Sequence, residues 1–359
     1  MQNKVIIVIN PGSTSTKIAF YNRKGELSSS NISHPQSELQ QFEKIADQLD
    51  YRYQKIKPYI DGYIRDHTVE VIGLVGRGGI VKPINGGTYR VNAEFLQDAR
   101  SGQYGEHASN LGSLLVHKLK GEFSLPVCYT VDPVSTSRLS EVAKISGVPG
   151  IVRDGRAHTL NVKMTARKLS KMYKVPFAES DFVVAHLGGG ISIGLVSGGR
   201  IVDVNDGLLG MGPFSPNRAG ALPLRGVMKL CYSKPEAEVK KLFSQNSGLK
   251  AYLGSEDLRE VLDMIDKGNT KAELIYNAFV YQVAKEIGAC FAASKGRAHA
   301  IGITGGIAHS QRFTDDLKKY VGRLTDYHVL PGESEMEALA EGFYRVYDGE
   351  EKVLEYPGE

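Results

Sequence analysis

No stretch of this 359-residue chain approaches the roughly 20 uninterrupted apolar residues of a bilayer span. The apolar run at 5–9 is too short and too β-branched to read as a signal peptide. With a mean hydropathy of −0.22, a soluble, cytoplasmic globular protein is expected, with no membrane partner. Cysteine is scarce. Cys128, Cys231 and Cys290 are odd in number and share no metal spacing, so inert, buried thiols in a reducing compartment are expected rather than a disulfide framework. Charge of one sign is also lacking. A net +4 with acids and bases interspersed argues against a nucleic-acid partner. Two phosphate-binding signatures are missing as well: no G-x-x-x-x-G-K-[ST] loop occurs, and no G-x-G-x-x-G opens a helix.

Glycine, in contrast, is plentiful: 40 residues, many in tight groups, as when backbone lies close to a ligand. The segment V-I-I-V-I-N-P-G-S-T-S-T-K-I-A-F, 5–20, predicts a hairpin with strands at 4–10 and 16–21 and a third strand at 27–33. Helical periodicity covers 37–66, and E-V-I-G-L-V-G, 70–76, reads as a buried strand emptying into R-G-G. A helix is expected at 105–120, a strand at 126–132, and short helix and loop over 133–149. The pattern then repeats. F-V-V-A-H-L-G-G-G in 182–190 matches V-I-I-V-I-N-P-G-S in kind, with His186 where Asn10 stands and Gly188 where Gly12 stands, an offset of about 176 residues. Helices follow through 221–295, with amphipathic runs at 235–246 and 270–295. A strand at 299–304 and a helix at 334–348 complete the reading.

The expected architecture is α/β, in two similar domains facing one another. One comprises 1–150 with the C-terminal helix at about 336–359. The other comprises 151–335 and carries a helical insertion at about 221–295, which offers a face for a homodimer or larger assembly. Four strand ends share one design, an apolar run stopped by glycine or proline and polar groups: 10–17, 130–133, 186–192 and 304–307. Glycine turns let backbone N–H groups converge on an anion. Ser13, Ser15 and Ser192 add hydroxyl donors, and Lys17 adds a point charge. Two related hairpins, with Gly188, Gly189 and Gly190 in the second, therefore read as clamps for phosphates. Taken singly, each is also explained as a tight turn.

These residues carry a resemblance. The hairpin pair with T-G-G-I resembles the actin/Hsp70/sugar-kinase superfamily, which implies duplicated ribonuclease H-like domains with ATP in an interdomain cleft. N-P-G-S-T-S-T-K, H-L-G-G-G-I-S, G-I-T-G-G-I-A, G-R-G-G-I-V-K-P (76–83), Y-T-V-D-P (129–133), A-H-T-L-N (157–161) and S-P-N-R-A-G-A-L-P (215–223) resemble the acetokinase family, on its butyrate kinase side. The resemblance covers essentially the whole chain. It implies reversible, direct in-line transfer of the γ-phosphoryl group of ATP to a short-chain carboxylate, giving ADP and an acyl phosphate, with Mg²⁺.

Carried onto this sequence, the resemblance gives Arg77 and Arg218 the substrate carboxylate and the transferring phosphoryl oxygens, a task suited to guanidinium geometry. His158 aligns with the active-site histidine, an electrostatic stabiliser. His107 resembles a second histidine near the acyl site, and His186 orders the phosphate hairpin. Asn10 touches the transferred phosphate or the metal's waters. Asp132 and one of Glu333, Glu335 and Glu337, by register Glu335, hold the metal. The backbone of Gly305, Gly306 and Ile307 lies against the nucleoside. Ala157 and Gly79 stand where the acetate kinase branch carries bulkier residues, which implies a larger acyl pocket. Two further methylenes favour butyrate over acetate by about 1–2 kcal/mol; propionate, isobutyrate, valerate and isovalerate remain competitors. Two other functions suit the same scaffold: a sugar or glycerol kinase, and an actin- or Hsp70-like ATPase.

Overall fold

The computed structural model describes residues 3–136 and 139–357. In chain order the strands are β1 (Asn3–Pro11), β2 (Ser15–Asn22), β3 (Gly25–Ser33), β4 (Val69–Arg77), β5 (Thr88–Arg90), β6 (Tyr129–Val131), β7 (Asp181–Leu187), β8 (Ile191–Ser197), β9 (Arg200–Val204), β10 (Ala300–Thr304), β11 (Asp326–Val329) and β12 (Leu354–Glu355). They form a seven-stranded sheet, β12-β5-β6-β4-β1-β2-β3, and a five-stranded sheet, β11-β10-β7-β8-β9. Each belongs to its own compact unit: 1–136 with 334–359, and 137–333.

In the first unit, Val5 to Ile9 are fully buried because β1 runs through the middle of the sheet with helices on both faces. An unbroken apolar run is what a doubly covered parallel strand needs. β1 pairs antiparallel with β2 and parallel with β4, which in turn pairs parallel with β6. Helices Leu49–His67 and Asn110–Lys120 pack on this sheet, as does Glu335–Tyr347. Glycines permit the closest approaches. A Cβ on Gly76 would lie 2.2 Å from the Gly112 carbonyl oxygen, and one on Gly73 would lie 2.2 Å from the Phe343 ring. Residues three apart on a strand point to opposite faces, so β4 is pressed from both sides.

The second sheet repeats this order. β9-β8-β7-β10-β11 corresponds strand for strand to β3-β2-β1-β4-β6, with the same parallel and antiparallel pairings. β5 and β12 are additions to the first sheet. Between β9 and β10 stand helices Leu224–Ser233, Glu236–Gln245, Gly248–Leu253, Leu258–Asp266 and Thr270–Ala293; the last packs on β7, β8 and β9.

Several expectations shift. The division falls after Thr136 and before Ser334, earlier than 150, because residues from 139 onward attach to the second sheet. The Ser140 N–H donates to the Val202 carbonyl at 2.8 Å, and Arg153 pairs with Asp203 at 2.9 Å. The helix expected at 105–120 starts at Asn110, since Gly105 has a φ of 140°. Cys128 and Cys290 are buried, but Cys231 is exposed, on a helix with no buried residue. No helix among the described residues is long and apolar enough to cross a membrane.

Candidate active site

In the first unit, Asn10, Arg77 and Asp132 stand at the carboxyl ends of three neighbouring parallel strands. Ile9 pairs with Gly76, and Arg77 with Val131, so Asn10 stands level with Arg77 and Asp132 follows one residue beyond the end of β6. Open α/β sheets present their ligand-binding groups at this edge. Glu335, opening its helix, completes the group. Its Oε2 accepts from Asn10 Nδ2 at 2.7 Å and from Arg77 Nη1 at 2.8 Å. Arg77 Nη1 also donates to Asn10 Oδ1 at 3.3 Å. The ion pair is largely shielded, with side-chain exposures of 19% and 13%.

Asp132 has a φ of 41°. A non-glycine residue in the left-handed region costs about 1–2 kcal/mol, and such strain concentrates at functional positions. The strain is held by Gly87, whose N–H donates to Asp132 Oδ1 at 2.8 Å and whose carbonyl accepts from the Asp132 N–H at 2.9 Å. Asp132 and Glu335 are the two carboxylates at this end of the sheet. No three His, Cys, Asp or Glu side chains gather as a metal cage among the described residues. Two carboxylates suit an ion that keeps its waters and arrives with a phosphate ligand.

His107 precedes helix Asn110–Lys120. Its Nδ1 accepts from the Ser109 N–H at 3.2 Å, and the Ser109 hydroxyl lies 2.7 Å away. Desolvation, then the charge of Arg77, lowers its pKa; Glu335 opposes the shift. Lys17 is exposed and lies opposite Asn10 in the ladder, on the same face. Ser13 and Ser15 flank the hairpin tip. Gly79 departs from its expected role. A Cβ there would lie 2.0 Å from Asn110 Oδ1, so the missing volume is filled by Asn110, which also accepts from the Ile80 N–H at 2.9 Å. The glycine serves that packing rather than opening space for an acyl chain.

In the second unit, His158 precedes helix Thr159–Tyr173. Its N–H donates to Ser192 Oγ at 3.1 Å, and its Nδ1 lies 2.9 Å from the same oxygen. This lets the Ser192 hydroxyl donate to Nδ1, leaving a proton on Nε2. Ser192, expected as a phosphate donor, is fully buried and instead fixes His158. The His186 ring stacks on that of His158, with centroids 4.2 Å apart. Arg218 approaches the same place. A Cβ on Gly190 would lie 2.3 Å from Arg218 Nη1 and 3.1 Å from His158 Cε1.

Arg218 Nη1 donates to the Gly207 carbonyl, and burial lowers its pKa. Its buried Nε has no acceptor among the described residues. Ser215 anchors the loop: its hydroxyl donates to the Gly189 carbonyl at 2.7 Å and accepts from the Arg218 N–H at 3.2 Å. Gly188 closes the hairpin through its N–H to the Gly190 carbonyl at 3.1 Å. Gly305, at φ 91°, has Leu187 backbone where a Cβ would be; Gly306 faces open space. Ile307 is a core side chain, so a ligand would meet only its backbone, whose carbonyl already accepts from the Ser310 N–H at 2.9 Å. Ala157 packs at the edge of the cluster formed by Leu139 and Val204.

Sequence reasoning passed over Arg52. It is 1% exposed, and its guanidinium grips the β1–β2 turn. A signal existed: Arg52 stands in the stripe of Ile56 and Ile60, where the helical pattern calls for an apolar residue.

The doubled strand order, with glycine hairpins, defines a duplicated ribonuclease H-like fold of the actin/Hsp70/sugar-kinase kind. Solved structures agree. Acetate kinase from Porphyromonas gingivalis superposes with a TM-score of 0.75 at 17% identity, covering 95% of this chain and 99% of that one. A propionate kinase from Francisella tularensis gives 0.73 at 17% identity over 95% and 99%. A putative N-acetylmannosamine kinase from Listeria monocytogenes gives 0.53 at 17% identity over 97% and 100%. Residues 144–321 match the acetokinase family. A probable butyrate kinase of Clostridium botulinum is 40% identical over 98% of this chain and 99% of its own. Probable butyrate kinase 2 of Caldanaerobacter subterraneus is 41% identical over 96% and 98%. The chain belongs to the acetokinase family.

Proposed function

We propose that this chain is a short-chain fatty acid kinase, with butyrate as the preferred acid: butyrate + ATP ⇌ butyryl phosphate + ADP. The reading is carried by Asn10, Arg77 and Asp132 at three adjacent strand ends, closed by Glu335. The full-length similarity to probable butyrate kinases supports it.

A carboxylate is already a nucleophile. The obstacle is its approach to a polyphosphate, which cations must offset. Arg77 is assigned the incoming carboxylate. Arg218, with an undonated Nε–H, and His158, held by Ser192, are assigned the oxygens of the transferring phosphoryl group. Asn10 orients that group. Asp132 and Glu335 would hold the magnesium ion delivered with the nucleotide. The turns at 12–15 and 188–190 take phosphate oxygens, and the backbone of 305–307 takes the nucleoside. We infer that it works in the cytoplasm as a homodimer or larger homo-oligomer.

The test is ADP release with C2 to C5 monocarboxylates, with polyols, and with no acceptor. Acid-dependent turnover with the highest kcat/KM at C4 is expected. A maximum at acetate would overturn the choice of acid. Turnover driven by polyols, or independent of any acceptor, would overturn the carboxylate reading.

A further inference from the structure

Arg52 heads the fully buried side chains by volume, yet it is a cation. Its Nη1 donates to the carbonyls of Gly12 at 2.8 Å and Ser15 at 3.1 Å, and to Thr16 Oγ1 at 3.2 Å. Its Nη2 donates to the Ser13 carbonyl at 3.0 Å and to Gln48 Oε1 at 2.9 Å; Nε reaches the same Gln48 oxygen at 3.0 Å. Every one of these acceptors is neutral, and no ion pair to Arg52 occurs among the described residues. Burial lowers its pKa to about 10, which leaves it charged at neutral pH. A buried charge without a counter-charge is strongly unfavourable unless something else supplies one.

The grip also sets the direction of the turn. The carbonyls of Gly12, Ser13 and Ser15 are drawn to the guanidinium, and that of Thr14 accepts from the His34 N–H at 2.7 Å. The chain has no cis peptide among its described residues, so each N–H points opposite to the preceding carbonyl. Drawing in the Gly12 and Ser13 carbonyls therefore turns the N–H groups of Ser13 and Thr14 the other way. Two successive N–H groups with a cation behind them favour an anion.

We propose that Arg52 is a positioning residue for nucleotide phosphate: it fixes the 12–15 turn with the Ser13 and Thr14 N–H groups presented to a phosphate, and it supplies positive charge from behind that turn. The bound di- or triphosphate is the counter-charge that the protein itself does not provide. This inference rests on the ATP-dependent reading above.

The experiment compares the full-length protein with Arg52→Lys and Arg52→Met. Three quantities are measured: ADP affinity by titration calorimetry, KM for ATP against KM for butyrate, and the unfolding midpoint without ligand. Both variants are expected to weaken ADP binding and raise KM for ATP by about tenfold or more, the scale of one lost charge-assisted interaction. KM for butyrate should stay within about twofold, and lysine should retain more affinity than methionine. A merely structural role would lower the midpoint and the active fraction while leaving ADP affinity of the folded protein unchanged, and that result would overturn the proposal. Should Arg52→Met fail to fold, Gln48→Met keeps the cation and removes its anchor; an unchanged ADP affinity there would also overturn it. Wild-type protein that binds no ADP would remove the nucleotide reading itself, and Arg52's role with it. Binding lost only in the variants, with no acid-dependent turnover in the wild type, would sustain Arg52 and remove the carboxylate reading.

Discussion

Gly190 admits no side chain because Arg218 and His158 converge on it, and this small fact ties a loop arginine to a helix-capping histidine. Arg218 is preorganised: half-buried, bonded to Gly207, with its Nε unspent. Arg218→Ala should therefore lower kcat by about 10²–10³, the scale of losing one oriented donor to a developing oxyanion. Its unfolding midpoint should fall only modestly, because its side chain donates one part-buried hydrogen bond, worth about 1 kcal/mol. Near-wild-type kcat would contradict the role. Gly190→Ala should reproduce much of the kcat loss with both charged groups intact; steady-state kinetics on the folded variant decides it. At this scale the sequence was readable where a residue broke a pattern, as Arg77 does after its apolar strand. It misled where absence of volume was read as open space. Gly79 is small because Asn110 occupies the room, a partner 31 residues away that no local pattern announces.

The β1–β2 hairpin and its supports form one element with its own acid sensitivity. His34 follows β3, is 2% exposed, and places Nε2 at 2.8 Å from Thr16 Oγ1. Desolvation, then the Arg52 and Lys55 charges, lowers its pKa to about 4. In the unfolded chain it would take a proton near pH 6.5. Below that pH the unfolded state binds the extra proton and the folded state resists it, so stability falls as pH drops from about 6.5 towards about 4. The contribution, complete above 6.5, is of the order of 3 kcal/mol. His34→Gln should lose less stability than wild type between pH 7 and pH 5 in urea unfolding. Equal losses would show that His34 is not the responsive group. Elements of this kind were legible when long: β1, β7 and the helix Thr270–Ala293 follow directly from apolar runs and helical spacing. Helix Gln311–Val321 and strand β11 went unread between the strand at 299–304 and the helix at 334–348, and so did β5, β12 and helix Ala93–Ser101. β5 has three residues, β12 has two, and each exists because a neighbouring strand end offers a ladder. Helix Ala93–Ser101 starts at an Asn92 cap and is too short to repeat its apolar spacing around Phe95 and Ala99.

The first unit is not continuous in the chain. Apart from the short edge strand β12, its sheet is made by residues up to Thr136, yet one face is covered by helix Glu335–Tyr347. Met336, Leu339 and Phe343 on that helix are at most 5% exposed; Phe343 lies over Gly73, and a Cβ on Gly342 would strike Val131. The repeat of the hairpins made two related units legible, but the site of division was not, because pairing of 139–153 with β9 is a long-range choice. Uncovering three large apolar side chains costs about 1.5–3 kcal/mol each. That sum is comparable with the whole net stability of a typical domain, about 5–15 kcal/mol. A chain cut after residue 333 should therefore lose the first unit while the second, with its separate core around Phe279 and Phe313, remains folded. Hydrogen exchange reads this directly: amides of β1 and β4 should lose protection while those of β7 and β10 keep it. Retained protection throughout would mean that the helix merely decorates the sheet. Loss in both units at once would mean that they fold as one. The cut also removes Glu335, the acceptor for Asn10 and Arg77, so folding of the first unit and assembly of its candidate site depend on the same thirteen-residue helix.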